Sequence, residues 1–218
     1  MTGPRILRAD DGGIADAAEC IRSGGVVVYP TETVYGVGVD PFSTAAVQRV
    51  FAMKGRDASK GMILLLRDEG DLDLLVESVT PDARHLMQAF WPGPLTLVLA
   101  ARPELPPALL GGASTVAVRV SDNVVCRELA GRAGGAITST SANRSGCPPA
   151  LSAAEAIVGL GPDVDVVLDG GESADPRPST VVDMTTNPPT VLREGRISTS
   201  GIERLLQRDN PRSRGPGV

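Results

Sequence analysis

Apolar side chains recur every three to four positions over 14–22, 45–53, 81–90, 124–132, 153–160 and 201–207. That spacing lines one face of a helix. Thr80 before Pro81 marks a helix start, because a proline at the first helical position gives up an N–H that has no partner there anyway. Ser152 with Glu155, and Ser200 with Glu203, match the capping box, while Gly24 and Gly25 stop the first helix. Shorter apolar runs at 26–29, 34–39, 62–66, 95–100, 116–120, 136–138, 164–168, 180–184 and 190–192 read as strands. The unbroken run MILLL at 62–66 predicts a strand covered on both faces. Runs 180–184 and 190–192, separated by a turn containing TNPP, predict a hairpin. Helices alternating with strands, some of them hairpin pairs, indicate α/β or α+β with a mixed twisted sheet. One domain extends to about residue 207, and 208–218, with three arginines, two prolines and two glycines, reads as a flexible basic tail.

Composition narrows the picture. A chain of 218 residues can bury roughly 70% of its unfolded surface in one core, so folding needs neither disulfide nor metal. Its 25 glycines and 18 prolines follow no period, which excludes collagen and indicates many loops. A net charge of −5 argues against a basic nucleic-acid coat. No apolar stretch approaches the ~20 residues that span a bilayer, and the N-terminus lacks the apolar core of a signal peptide. Cys20, Cys126 and Cys147 are odd in number and show no CxxC spacing, as suits a reducing cytoplasm rather than a zinc ribbon. The one histidine, His85, falls in a helical pattern and reads as a packing or surface residue. Hydroxyls, amides and cations are left to carry any chemistry.

Five segments offer them. A strand runs into Pro30-Thr31-Glu32-Thr33, where two hydroxyls flank a carboxylate, with Gly36 and Gly38 allowing close approach to the backbone. Lys54, Arg56 and Lys60 follow a helix end. They can cap its dipole, or hold a polyanion such as a triphosphate. Trp91-Pro92-Gly93-Pro94 reads as a structural turn. Strand alternation sets Thr115, Ala117 and Arg119 on one face, where Arg119 needs either a ligand anion or an internal carboxylate. The run 138–146 supplies hydroxyls and the Asn143 amide at a strand end, a usual place for ligands in α/β folds. Ser179 and Arg193 add a hydroxyl and a cation at later strand ends. Neither a Walker-A loop nor a dinucleotide fingerprint occurs.

Taken in order, YPTETVYGVG, the KGR of FAMKGR, WPGPLTLVL, TVAVR, TSTSANRSG, STVVD and VLREGRI resemble the YrdC-like family of L-threonylcarbamoyladenylate synthases, over about 26–197. The resemblance implies an α/β fold, a single twisted mixed sheet flanked by helices with a concave basic cavity. It implies that ATP, L-threonine and bicarbonate become threonylcarbamoyl-AMP and pyrophosphate, with Mg²⁺ accompanying ATP and no protein metal ligand assigned. The product feeds a separate tRNA threonylcarbamoyl transferase complex. The family's catalytic tetrad falls on Lys54, Arg56, Ser141 and Asn143. ATP contacts carry over to Arg56, Lys60, Thr115, Ser141, Asn143, Pro149 (through its backbone) and Arg193. Threonine contacts carry over to Thr33, Leu65 (through its backbone), Arg119, Ser139 and Ser179. Many relatives have a proline where Gly61 follows Lys60, and longer ones carry an extra C-terminal domain, so this chain resembles the short form, whose tail is a candidate to cover the cavity.

Two other readings stand beside it. One is a paralogue making carbamoyl-AMP, as in the hydrogenase-maturation carbamoyltransferase, whose acylphosphatase and zinc-finger regions have no counterpart in this sequence. The other is a module that binds RNA weakly through a local basic patch.

Overall fold

The computed structural model describes residues 3–173 and 177–208. Its strands are β1 (Arg5–Arg8), β2 (Val27–Tyr29), β3 (Gly36–Gly38), β4 (Ile63–Leu66), β5 (Leu95–Ala100), β6 (Thr115–Val120), β7 (Ala136–Ser141), β8 (Val166–Asp169), β9 (Thr180–Asp183) and β10 (Thr190–Arg193). They form one sheet in the order β1-β8-β2-β3-β7-β4-β6-β5-β9-β10. The pairs β1–β8, β2–β8, β4–β6 and β5–β9 are parallel. The pairs β2–β3, β3–β7, β4–β7, β5–β6 and β9–β10 are antiparallel, so the sheet is mixed and the expected hairpin is β9–β10. The helices are α1 (Asp11–Arg22), α2 (Thr44–Lys54), α3 (Pro81–Phe90), α4 (Pro107–Leu110), α5 (Val124–Arg132), α6 (Ala153–Leu160) and α7 (Thr199–Arg208). No helix among the described residues is long and apolar enough to cross a membrane.

Strand alternation divides the sheet's side chains between two cores. Leu64, Leu66, Val118 and Val37 join the larger one, covered by Val47, Val50 and Phe51 of α2, Leu86 and Met87 of α3 and Leu160 of α6. Val27, Tyr29, Leu65, Ile137 and Leu168 face the other way, against Ile14, Ala17 and Ile21 of α1 and Cys126 and Leu129 of α5. Each fully buried leucine contributes about 1.5–3 kcal/mol through lost water contact, so β4 anchors both layers. The two helices of the smaller core leave part of its sheet face uncovered, and there the cavity opens.

Local signals explain most boundaries. Thr80 Oγ1 accepts from Ala83 N at 3.2 Å, and Ser152 Oγ from Glu155 N at 3.2 Å, as the caps predict. The returning arm of the second cap reaches Leu151 N at 2.7 Å. The Ser200–Glu203 cap is corrected: α7 begins at Thr199, and Ser198 Oγ accepts from Gly201 N at 3.2 Å. The Glu194 carboxylate takes Thr199 N at 2.8 Å, which starts the helix ahead of Ser200. The run 34–39 shortens to Gly36–Gly38. β7 continues to Ser141, because both β3 and β4 pair along it, so the hydroxyls expected in a loop belong to a strand. α7 reaches Arg208, and 209–218 of the proposed tail lie outside the described residues.

Candidate active site

The register of three central strands builds the cavity floor. Ile63 stands opposite Ser139, and Leu65 opposite both Arg119 and Ile137. Residues directly opposite share a face, so three apolar side chains, a hydroxyl and a guanidinium project together. Ser141 follows Ser139 by two positions and takes the same face about 7 Å further along. β3 approaches β7 closely here. A Cβ at Gly38 would lie 2.2 Å from the Thr138 carbonyl oxygen, so only glycine fits.

The β2–β3 turn forms one wall. Thr31 Oγ1 donates to Val34 O at 2.6 Å and accepts from Thr33 N at 3.1 Å, which turns the chain so that Thr33 lines the cavity. Tyr35 Oη donates to Gly171 O at 2.7 Å and accepts from Gly170 N at 3.1 Å, pinning the segment after β8 beside it. The whole cavity holds about 360 Å³, within the range of small-ligand sites.

At the end of α2, Gly55 takes φ +58° and reverses the chain. This parts the two cations on either side of it. Arg56 enters the cavity, its Nη2 donating to Gly61 O at 2.9 Å and Nε to Lys60 O at 3.3 Å. Lys54 turns inward, 3% exposed, and its Nζ donates to the carbonyls of Ser141 and of Asn143, the latter at 2.5 Å. Burial first, then the Arg56 charge, pulls the Lys54 ammonium down to about 8. Lys54 thus lies behind the 141–143 segment, and Arg56 in front of it.

Of the two partners that the sequence left open, Arg119 has the internal carboxylate, and it faces the cavity as well. It lines the cavity, its Nε donates to Gly93 O at 3.0 Å, and its Nη2 meets the Glu32 carboxylate. Burial works against the guanidinium charge, and the buried carboxylate pressed against it offsets that cost. Ser121 Oγ donates to the other oxygen of Glu32. The Trp91–Pro94 turn, read from sequence as structural, therefore also fixes Arg119. The peptide bond between Trp91 and Pro92 is cis.

Across the cavity Arg193 Nη2 donates to Ser179 O at 2.9 Å and to Ser179 Oγ at 3.2 Å. Ser179 Oγ also contacts Thr96 Oγ1 at 2.9 Å. Neither Arg56 nor Arg193 has a carboxylate within ion-pair distance among the described residues, and burial pulls both guanidinium groups below the usual arginine value. A charge held only by neutral carbonyls in a half-dry site is stabilised by an incoming anion. Asn143 points the same way. Its Nδ2 donates to Arg144 O at 2.9 Å and Cys147 O at 2.7 Å, while its buried Oδ1 has no partner and so lacks a donor.

Among the described residues there is no group of three or more His, Cys, Asp or Glu able to hold a metal ion, and no carboxylate lines the cavity. These residues suit Mg²⁺ only as a companion of phosphate oxygens.

Of the residues singled out from the sequence, Arg56, Ser141, Asn143, Pro149 and Arg193 line the cavity, and so do Thr33, Leu65, Arg119, Ser139 and Ser179. Lys54 stands behind its wall. Lys60 is exposed beside Arg56, and Thr115 shares the sheet face of Arg119 beyond the cavity's edge; neither lines it. Glu32 had no role assigned from sequence, and its partner Arg119, distant in the same chain, gives it one. Tyr35 went unremarked because its partners, Gly170 and Gly171, lie about 135 residues away.

The fold and site define an α/β protein with a cavity lined by three arginines, a row of hydroxyls and no carboxylate. The family described as "Telomere recombination" (Sua5, YciO and YrdC) matches residues 19–195. The chain belongs to the Sua5/YciO/YrdC family. It is 45% identical over 166 residues to a threonylcarbamoyl-AMP synthase of Thiobacillus denitrificans, covering 76% of this chain and 88% of that protein. The solved structure of Pyrococcus abyssi Sua5 complexed with L-threonine superposes with a TM-score of 0.87 at 36% identity, over 94% of this chain and 60% of that one. The crystal structure of E. coli YciO superposes with a TM-score of 0.79 at 30% identity, over 90% and 97%.

Proposed function

We propose that the cavity joins L-threonine, bicarbonate and ATP into threonylcarbamoyl-AMP, pyrophosphate and water, which makes this chain a threonylcarbamoyl-AMP synthase. The observation that carries this is a cavity holding two arginines without carboxylate partners among the described residues and an orphaned Asn143 acceptor, beside hydroxyls fit for a small amino acid. Threonine sits on the floor between Arg119, Ser139 and Ser179, with Thr33 and the Leu65 backbone closing around it. Its neutral amine and bicarbonate, held together, form a carbamate, a step governed mainly by proximity. A carbamate oxygen then attacks the α-phosphorus of ATP, and pyrophosphate leaves with the electrons of the broken P–O bond.

Such a displacement needs alignment and charge neutralisation more than a protein nucleophile. Arg56 and Arg193 supply cationic hydrogen-bond donors for the phosphates. Ser141, Asn143 and the Pro149 backbone align the nucleotide, with Lys60 and Thr115 extending that side past the cavity's edge. With no protein ligand assigned to it, a Mg²⁺ ion carried by ATP would shield the phosphate charge alongside Arg56 and Arg193. The product passes to a separate tRNA threonylcarbamoyl transferase complex, in the cytoplasm. The test is pyrophosphate release with each substrate omitted in turn. Release should require all three, and release independent of threonine would contradict the reading.

A further inference from the structure

The three cysteines have sharply different surroundings. Cys126 is buried, with Sγ 3.1 Å from Pro30 O, and burial pushes its thiol up to about 12. Cys20 is half-buried, and burial together with the Asp165 charge pushes its thiol up as well. Both are held in the unreactive protonated form. Cys147 alone is exposed, and it lines the same cavity as Arg56 and Arg193.

Its backbone is fixed there. Cys147 N donates to Arg144 O at 3.1 Å, the Asn143 amide donates to Cys147 O at 2.7 Å, and Ser145 N donates to Lys54 O at 2.8 Å. The buried Asn143 Oδ1, four residues before the thiol, still lacks a donor, which marks this end of the cavity as a ligand site independently of the cysteine. We propose that Cys147 is a covalent-modification site, on which small anionic disulfides form an adduct that closes the nucleotide end of the cavity.

The step balances without a further oxidant. Deprotonated Sγ attacks one sulfur of the disulfide, the S–S bond breaks as the new S–S bond forms, and the departing thiolate takes up the proton that Cys147 lost. The disulfide is reduced to one equivalent of free thiol, and a dithiol reverses the reaction. Anionic disulfides are favoured because three arginines and no carboxylate line the cavity. In a space of about 360 Å³, an adduct the size of a tripeptide leaves no room for a triphosphate.

The inference rests on the nucleotide-binding reading of this cavity, and its test is arranged so that the two can fail separately. The full chain is incubated with oxidised glutathione or, as a cationic control, cystamine, and adducts are located by peptide mass. The expected result is an adduct on Cys147, formed faster from oxidised glutathione and slowed by MgATP. Synthase activity should fall about ten-fold or more in step with it and return on reduction. Cys147→Ser should keep its activity and resist the loss. An unmodified Cys147, an adduct that leaves activity intact, a rate indifferent to MgATP, or equal loss in Cys147→Ser would each overturn the inference. If the untreated protein releases no pyrophosphate but MgATP still protects Cys147, the synthase reading fails while the site stands.

Discussion

The Lys54 ammonium is buried against the main chain of the segment it supports, its Nζ 2.5 Å from Asn143 O and also bonded to Ser141 O. One cation thereby holds two carbonyls of the residues proposed to align the nucleotide. Lys54→Met should leave the Asn143 carbonyl without a donor and the Ser141 carbonyl with Asn143 N alone, at a cost of about 1–3 kcal/mol for the orphaned group. The expected outcome is a lower urea midpoint together with weaker ATP binding. Loss of ATP binding at unchanged stability would show a direct phosphate contact instead.

The same burial makes ATP binding sensitive to alkali. With the Lys54 pKa lowered to about 8 in the free protein, its positive charge is present below that pH and lost above it. ATP affinity measured by calorimetry should hold steady below pH 8 and weaken above it, by up to about ten-fold per unit. Stability runs the opposite way. The unfolded lysine keeps its proton to a higher pH, so the penalty for burying the charge is relieved between about 8 and the ordinary lysine value of 10.5. Lys54→Arg should remove the alkaline decline.

Arg56 and Arg193 line the cavity with no carboxylate partner among the described residues, so on the proposed function their removal should act on the reaction more than on the fold. Arg56→Ala or Arg193→Ala should lower kcat/KM for ATP about ten-fold or more, since a cation worth over ~1.4 kcal/mol in the transition state is lost. Lys60→Ala and Thr115→Ala, at positions outside the cavity lining, should cost less than either. Steady-state kinetics with ATP varied would rank the four.

Glu32 compensates a buried guanidinium. Glu32→Ala should destabilise the protein by about 3–5 kcal/mol, because Arg119 is left charged and unpaired. Arg119→Met in the same chain should recover part of that loss, which a double-mutant cycle in urea would measure. Additive losses would mean that the two side chains do not interact.

Much of this was legible in the sequence, for reasons that differ by element. MILLL at 62–66 announced a strand with two covered faces, and Leu65 and Leu66 do face different cores. β1 went unseen because RILR is short and largely exposed at the sheet edge, where little packing constrains its pattern. The hydroxyl run was recognised as chemistry but not as strand, since serine and threonine carry no apolar signal, and it is the partners β3 and β4 that extend β7. Ordered motifs identified the cavity residues, yet they could not tell which of Lys54 and Arg56 faces inward. The left-handed Gly55 decides that. Nor could local pattern join Glu32 to Arg119, because the register of a sheet is not written in either segment alone.

The most direct test of the account supplies ¹³C-labelled bicarbonate with L-threonine and MgATP, and follows the nucleotide product by mass spectrometry. The expected result is a threonylcarbamoyl-AMP carrying the label, formed with matching pyrophosphate and abolished when threonine is withheld. Conversion of ATP to an unlabelled adenylate, or no conversion by a folded protein that binds ATP, would contradict it.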